Sequence, residues 1–184
     1  RLEPGPGNPR NSEGDFIQLK DGRILFIYTH FTGGSGDNAA AYLAGRYSND
    51  DGLTWSDDEV VVVPNEGEMN VMSVSLLRLR DGRIALFYLR KNSTEDCVPA
   101  VRFSSDEAKT WSPPTVIADS VGYYVVNNDR AVLLSSGRII LPASLHNTPS
   151  TDWTAFGRVL CFYSDDNGRT WRRTAYVPNP EGVM

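Results

Sequence analysis

Ser48-Asn49-Asp50-Asp51-Gly52-Leu53-Thr54-Trp55 packs an acidic pair, a glycine, a threonine and a tryptophan into eight positions. The same layout returns as Ser104-Ser105-Asp106-Glu107-Ala108-Lys109-Thr110-Trp111 and as Ser164-Asp165-Asp166-Asn167-Gly168-Arg169-Thr170-Trp171. The shared pattern is Ser-x-Asp-x-Gly-x-Thr-Trp, with Ala108 replacing the glycine once. The tryptophans stand 56 and 60 residues apart. A second element keeps step with the first. Leu19-Lys20-Asp21-Gly22-Arg23-Ile24 recurs as Leu79-Arg80-Asp81-Gly82-Arg83-Ile84 and, weakened, as Leu134-Ser135-Ser136-Gly137-Arg138-Ile139. Two motifs repeating together at matched spacing define a repeat protein.

Each repeat reads as four strands, rich in Val, Ile, Tyr and Phe and bounded by Gly, Pro, Asp and Asn. Asp-Gly between the first two strands is a tight hairpin signal. No segment sustains a helical period, so the fold class is all-β. A four-stranded antiparallel unit repeated along a chain suggests a β-propeller. The first strand of the first repeat is expected near 15–19, that of the third near 124–134, and the last strand near 172–177. Within the eight-residue motif, Asp and Asn side chains can bond the turn's own backbone and glycine permits positive φ. The tryptophan covers apolar surface where the turn folds back. Ala108 is expected to be tolerated, costing about 1–2 kcal/mol if its position is left-handed.

The 184 residues are enough for one sizeable core, and 40% apolar with 22% charged residues fits a soluble globular protein. A net charge of −5 argues against a general nucleic-acid or anionic-membrane binder, which needs a basic face. No apolar run approaches the length of a membrane span. The chain opens Arg1-Leu2-Glu3-Pro4, with no signal-like apolar segment, and reads as a processed or trimmed piece. Cys97 and Cys161 lie far apart in sequence; a disulfide and two free, half-buried thiols both fit. With His30 and His146 the only histidines and no Cys/His ligand spacing, no zinc site and no cofactor are expected.

Ser-x-Asp-x-Gly-x-Thr-Trp is the Asp box. Three copies, each after a strand and in step with an Asp-Gly-Arg hairpin, resemble the sialidase (neuraminidase) superfamily of Asp-box, BNR-repeat β-propellers over the whole chain. The resemblance implies a six-bladed ring, of which this chain supplies three blades. Blade one is expected over 1–64, blade two over 65–118 and blade three over 119–178, with a fourth beginning at 179–184. Val177-Pro178-Asn179-Pro180-Glu181-Gly182 there parallels Val63-Pro64-Asn65-Glu66-Gly67. Three blades leave an open edge. The chain is therefore expected to be the N-terminal half of a longer protein, with a homodimer that completes the ring as the alternative. The resemblance further implies an exo-acting, retaining glycoside hydrolase on terminal sialic acid or a related acidic sugar. Its partners would be glycans or sialoglycoconjugates, in an extracellular or periplasmic setting. Two rivals stand beside it: a propeller that binds glycans without cleaving them, and a hydrolase for a different sugar.

In a four-stranded meander, alternate connections lie on opposite faces. The Asp-Gly-Arg hairpins and Asp boxes share one face. The loops around 9–15, 29–38, 65–70, 90–97, 121–130 and 146–153 share the other, and function concentrates in such loops. Sialic acid carries a carboxylate, which arginine binds bidentately while keeping its proton. Family sialidases use three arginines, the first entering the first strand of blade one. The resemblance puts Arg10 there, although only the arginine of the family's Phe-Arg-Ile-Pro-like motif is matched by Pro9-Arg10-Asn11-Ser12. The family's acid/base is an aspartate before the third strand of blade one, which Gly33-Gly34-Ser35-Gly36-Asp37-Asn38 supplies as Asp37. The family nucleophile, a tyrosine backed by a glutamate, and two more arginines belong to later blades and match nothing here, so this chain alone is expected to be catalytically incomplete. Other candidates for sugar contacts are His30, Arg90, Asn128, Asp129 and Arg130. His30 stands where sialidases commonly carry an arginine, and Asn127-Asn128-Asp129-Arg130 is an odd set to place on an inner strand. Arg130 paired with Asp129 as a structural knot is the competing reading. His146 and Trp153 have the same two readings, sugar contact or structural support.

Overall fold

A computed structural model describes residues 2–178. The expected start of a fourth blade at 179–184 lies outside the described residues. The described residues form strands and turns with no helix, confirming the all-β class. The first sheet is an antiparallel meander, β1 (Arg10–Gln18), β2 (Ile24–Phe31), β3 (Ala41–Ser48) and β4 (Val60–Val63). A second meander follows: β5 (Asn70–Arg78), β6 (Ile84–Lys91), β7 (Cys97–Ser104) and β8 (Thr115–Val116). The third contains β9 (Tyr123–Val125), β10 (Val132–Leu133), β11 (Ile139–Asn147), β12 (Arg158–Ser164) and β13 (Arg172–Arg173). A single parallel pairing, Cys97 with Tyr123, joins the second and third meanders into one sheet.

The three eight-residue copies fold into the same turn. Ser48 Oγ donates to Asp50 Oδ1 (2.8 Å) and accepts from the Gly52 amide (2.9 Å). Asp50 also accepts from the Thr54 amide (2.8 Å) and hydroxyl (2.6 Å). Ser104, Asp106, Ala108 and Thr110 repeat this set, as do Ser164, Asp166, Gly168 and Thr170. The fifth residue is left-handed each time, at φ 88°, 64° and 87° for Gly52, Ala108 and Gly168. Ala108 therefore does carry the left-handed conformation that the motif reserves for glycine. The hairpin arginines have a packing job that the sequence did not reveal. Arg23, Arg83 and Arg138 lie over Tyr47, Phe103 and Tyr163 of the third strand, 4.8, 4.7 and 4.6 Å from the ring centres. Arg23 and Arg83 are also held by Asp21 and Asp81. Where Ser136 replaces that aspartate, Arg138 pairs with Asp165 instead.

These turns set a pH dependence. Hydrogen bonds from threonine and serine hold the carboxyl of Asp50 below its ordinary range and those of Asp106 and Asp166 at about 2. A folded value below the unfolded one, about 3.9, stabilises the fold above that pH and is lost as pH falls through the folded value. The melting temperature should therefore fall as pH drops from about 4 to about 2. Asp106→Asn should flatten that slope when melts are followed by circular dichroism; an unchanged slope would show that the turns do not carry it.

β6 explains why the meanders stack. Its alternate residues Ile84, Leu86 and Tyr88 join Leu25, Ile27 and Leu43 in one buried cluster. Ala85, Phe87 and Leu89 join Tyr124, Leu141 and Phe162 in another. Both faces of β6 are covered, so its sequence is continuously apolar instead of alternating. The outer face of the first meander is uncovered: Phe16 is 56% exposed, and Phe16, Phe26 and Trp55 line an open cleft of about 580 Å³.

Three expected boundaries change. The segment 10–15, read as a loop, is strand, and β1 passes through a bulge between Ser12 and Asp15. The expected strand 124–134 is split: residues 126–131 face only residues 141–143 of β11, because Val125 pairs with Ser144 and Val132 with Ile140. Hydrophilic Asn127–Arg130 thus leaves the ladder as an enlarged bulge. The last strand shortens to Arg172–Arg173, although the Thr174 and Val177 amides still bond Cys161 and Val159. The left-handed residues Glu13, Ser73 and Asp129 (φ 57°, 62° and 52°) lie in the three bulges. Cys97 and Cys161 are free thiols, and burial pushes Cys97 up to about 12.

Candidate functional site

Arg10 and Asp37, 27 residues apart, meet. Arg10 begins β1 opposite Phe31, and its guanidinium lies 4.5 Å from the centre of the Phe31 ring. Its Nη1 donates to Asp37 Oδ1 at 2.5 Å and to the Ser35 carbonyl at 3.2 Å. Asp37 is 65% exposed and Arg10 27%, so the pair is open to a ligand.

The loop that presents Asp37 is built for position. Gly33 is needed because a Cβ there would stand 2.9 Å from the Ala40 amide nitrogen, and Gly34 has φ 145°. The loop is then stitched to the second meander. Asn70, fully buried at the start of β5, donates to the Asp37 carbonyl (2.8 Å) and the Ala39 carbonyl (2.9 Å). Lys91, 1% exposed at the end of β6, donates to the same Asp37 carbonyl (3.2 Å) and to Tyr123 Oη (2.7 Å). A buried ammonium needs such partners to offset its desolvation. The backbone of Asp37 is therefore fixed while its carboxylate stays free to exchange partners.

Glu13 joins this pair, and the sequence reading missed it. It lies 3.8 Å from Arg10 Nη2, and its Oε2 is buried without a hydrogen-bond partner. Burial raises its carboxyl above the ordinary range, with the Asp37 charge adding and Arg10 and Ser73 opposing. The available signal was Gly14, whose Cβ would run into the Phe26 ring and which marks the bulge that turns Glu13 inward.

The other expected site residues are dispersed. His30 sits on the opposite side of β2 from Phe31, stacked on Tyr42 (4.5 Å) with Nδ1 3.0 Å from Glu59. Glu59 also accepts from the Tyr28 and Tyr42 hydroxyls, both at 2.6 Å. Burial opposes ionisation of Glu59, but the bonds from Tyr28, Tyr42 and His30 prevail and hold it below its ordinary range. Burial and that neighbouring carboxylate push Tyr28 up to about 12. Arg46 completes a tyrosine–arginine–glutamate knot with Tyr28 (3.3 Å) and Glu59 (3.7 Å), and Tyr88, Arg102 and Glu66 repeat it in the second meander. Arg90 occupies in β6 the position of His30 in β2, and its Nε is buried without a partner. Asn128 donates to the Gly14 carbonyl (3.3 Å), the Asp129 amide to the Val74 carbonyl (3.0 Å), and the Arg130 amide to Ser75 Oγ (2.9 Å). These three therefore sew the third bulge to the first two. His146 bonds Ser144 and the Thr154 carbonyl and backs Trp153.

Antiparallel meanders that each carry the same serine–aspartate turn define a repeat protein of stacked β-sheets. Residues 46–181 match the family described as BNR repeat-like domain, and the chain belongs to that family within the sialidase/BNR superfamily. Human Sialidase-4 is 36% identical in an alignment of 63 residues that covers 30% of this chain and 13% of that protein. Among solved structures, a protein of unknown function from Dyadobacter fermentans superposes with a TM-score of 0.77 at 18% identity, over 98% of this chain and 58% of its own. Hadza microbial sialidase Hz136 gives 0.72 at 15% identity, over 94% and 38%. The intramolecular trans-sialidase from Ruminococcus gnavus, solved with oseltamivir carboxylate, gives 0.71 at 11% identity, over 97% and 63%. The chain thus spans less than two thirds of each of these proteins, and identities this low speak for the fold alone.

Proposed function

We propose that the chain supplies part of the sugar site of a sialidase-like exo-glycoside hydrolase acting on terminal sialic acid or a related acidic sugar. Its meanders, over 1–64, 65–118 and 119–178, would be three blades of a six-bladed ring. The observation that carries the reading is the Arg10–Asp37 pair on a loop whose backbone is locked by Asn70 and Lys91. A substrate carboxylate would take the place of Asp37 on Arg10. Asp37, released from its partner, would take up a proton from solvent and, as the neutral acid, deliver it to the glycosidic oxygen. The fixed loop backbone keeps that carboxyl within reach, which is the positioning an acid catalyst needs. The nucleophile is not assigned.

The test is incubation of the full-length gene product with α2,3- and α2,6-sialyllactose and a set of neutral glycosides, with released sugars separated by anion-exchange chromatography. Free sialic acid is the expected product. Binding without release would identify a glycan-binding propeller, and release of another sugar a hydrolase of different specificity.

A further inference from the structure

A second cavity, of about 390 Å³, opens between the second and third meanders. Trp153, Asn147, Asn38, Tyr123, Glu95 and Asp152 are among the residues that line it. That volume is near the lower end of small-ligand sites and suits a single sugar ring. Trp153 is 59% exposed and gives the cavity an aromatic wall. Its indole is backed by the His146 ring, 5.8 Å away and inclined by 14°. His146 is itself fixed by Ser144 (3.0 Å) and the Thr154 carbonyl (2.7 Å), so the indole rests on a braced support.

The polar lining is all acceptor, amide and hydroxyl. Asn147, 5% exposed, donates weakly to the Thr94 carbonyl (3.3 Å), while its Oδ1 has no hydrogen-bond partner. A buried amide oxygen left unsatisfied is costly and awaits a donor. Among the described residues the carboxylates of Glu95 and Asp152 make no hydrogen bond or ion pair. Lys91, which bonds the lining residue Tyr123, is buried and committed to Tyr123 Oη and the Asp37 carbonyl. Two uncommitted carboxylates repel an anion. A neutral polyol, in contrast, brings hydroxyl donors to Glu95, Asp152 and Asn147, and its C–H face suits the electron-rich face of an indole.

We propose that this cavity binds a neutral pyranose stacked on Trp153, at a site separate from Arg10 and independent of what Arg10 holds. Asn38 lines the cavity and follows Asp37 directly, so one loop serves both sites. The probes are methyl β-D-galactopyranoside and methyl β-D-glucopyranoside, with N-acetylneuraminic acid for comparison, read by saturation-transfer NMR on the whole chain. The Trp153 indole resonance, assigned with Trp153→Phe, provides a second readout. At least one neutral glycoside should bind and shift that resonance. Trp153→Ala should weaken binding about tenfold or more, which is about 1.4 kcal/mol. Asp152→Ala, an exposed change that spares the fold, should weaken it too. Neither substitution should alter binding of N-acetylneuraminic acid. The proposal is overturned if both neutral glycosides fail to bind, or if both variants bind them as the wild type does. Failure of N-acetylneuraminic acid alone would count against the Arg10 reading and leave this one standing.

Discussion

Asp37→Asn, made in the full-length gene product, is expected to slow cleavage of sialyllactose by about 10²–10⁴-fold, the usual contribution of a positioned general acid. The fold should survive, because Asn70 and Lys91 grip the Asp37 carbonyl and not its carboxylate. The leaving group separates two roles for this side chain. A sugar alkoxide leaves poorly without a proton, whereas 4-nitrophenolate leaves readily without one. If Asp37 is the proton donor, the loss should be large for sialyllactose and small for a 4-nitrophenyl sialoside, and it should appear in kcat. If Asp37 only orients Arg10, both substrates should suffer equally, chiefly in KM. Wild-type cleavage of sialyllactose by the variant would end the assignment.

The second large effect is on stability. Asp15, 8% exposed, accepts from the Leu76 amide at 2.7 Å and from its neighbour Phe16 at 2.6 Å, one N–H on each carboxylate oxygen. It thereby ties the first bulge to the second strand set. Asp15→Ala would orphan both donors, one of them buried, and should lower stability by about 2–4 kcal/mol. For a domain of this size that is a fall in melting temperature of roughly 5–15 °C. Asp15→Asn keeps one acceptor but turns an amide NH₂ toward the other N–H, so about 1–3 kcal/mol is expected. The pH dependence has the opposite sign to that of Asp106 and Asp166. Burial raises the Asp15 carboxyl, with the two backbone bonds opposing and the Asp129 charge adding. A raised folded value gives a contribution that is full below the unfolded value, about 3.9, and lost as pH rises through the folded one. The stability difference between wild type and Asp15→Ala should therefore grow as pH falls toward 4. Equal stability of the two proteins would show that the bulges are held by packing alone.

Much of the architecture was legible because its causes are local. Ser48, Asp50, Gly52 and Thr54 close a turn with their own atoms, so eight letters suffice to announce it. The Leu-x-Asp-Gly-Arg hairpins were readable for the same reason. Split strand 124–134 was misjudged because the apolar residues on either side of Asn127–Arg130 favour a continuous strand. The break arises where those polar residues bond the other two bulges instead of β11. The candidate site was legible only in part. Arg10 and Asp37 were reached through resemblance, while Glu13 and Lys91 carried no motif.

The sequence by itself determined a three-fold repeat of antiparallel strands and the turns that separate them. Only the tertiary structure decided which polar side chains meet. Strand alternation sends Phe31 under Arg10 and neighbouring His30 to the opposite side, toward Glu59. Stacking of the second meander on the first carries Lys91 to the carbonyl of Asp37, 54 residues away, and buries it there. Turn chemistry acts within a few bonds and is written in adjacent letters. Contact between distant strands depends on bulges and packing summed over the whole core, which no short stretch of sequence contains.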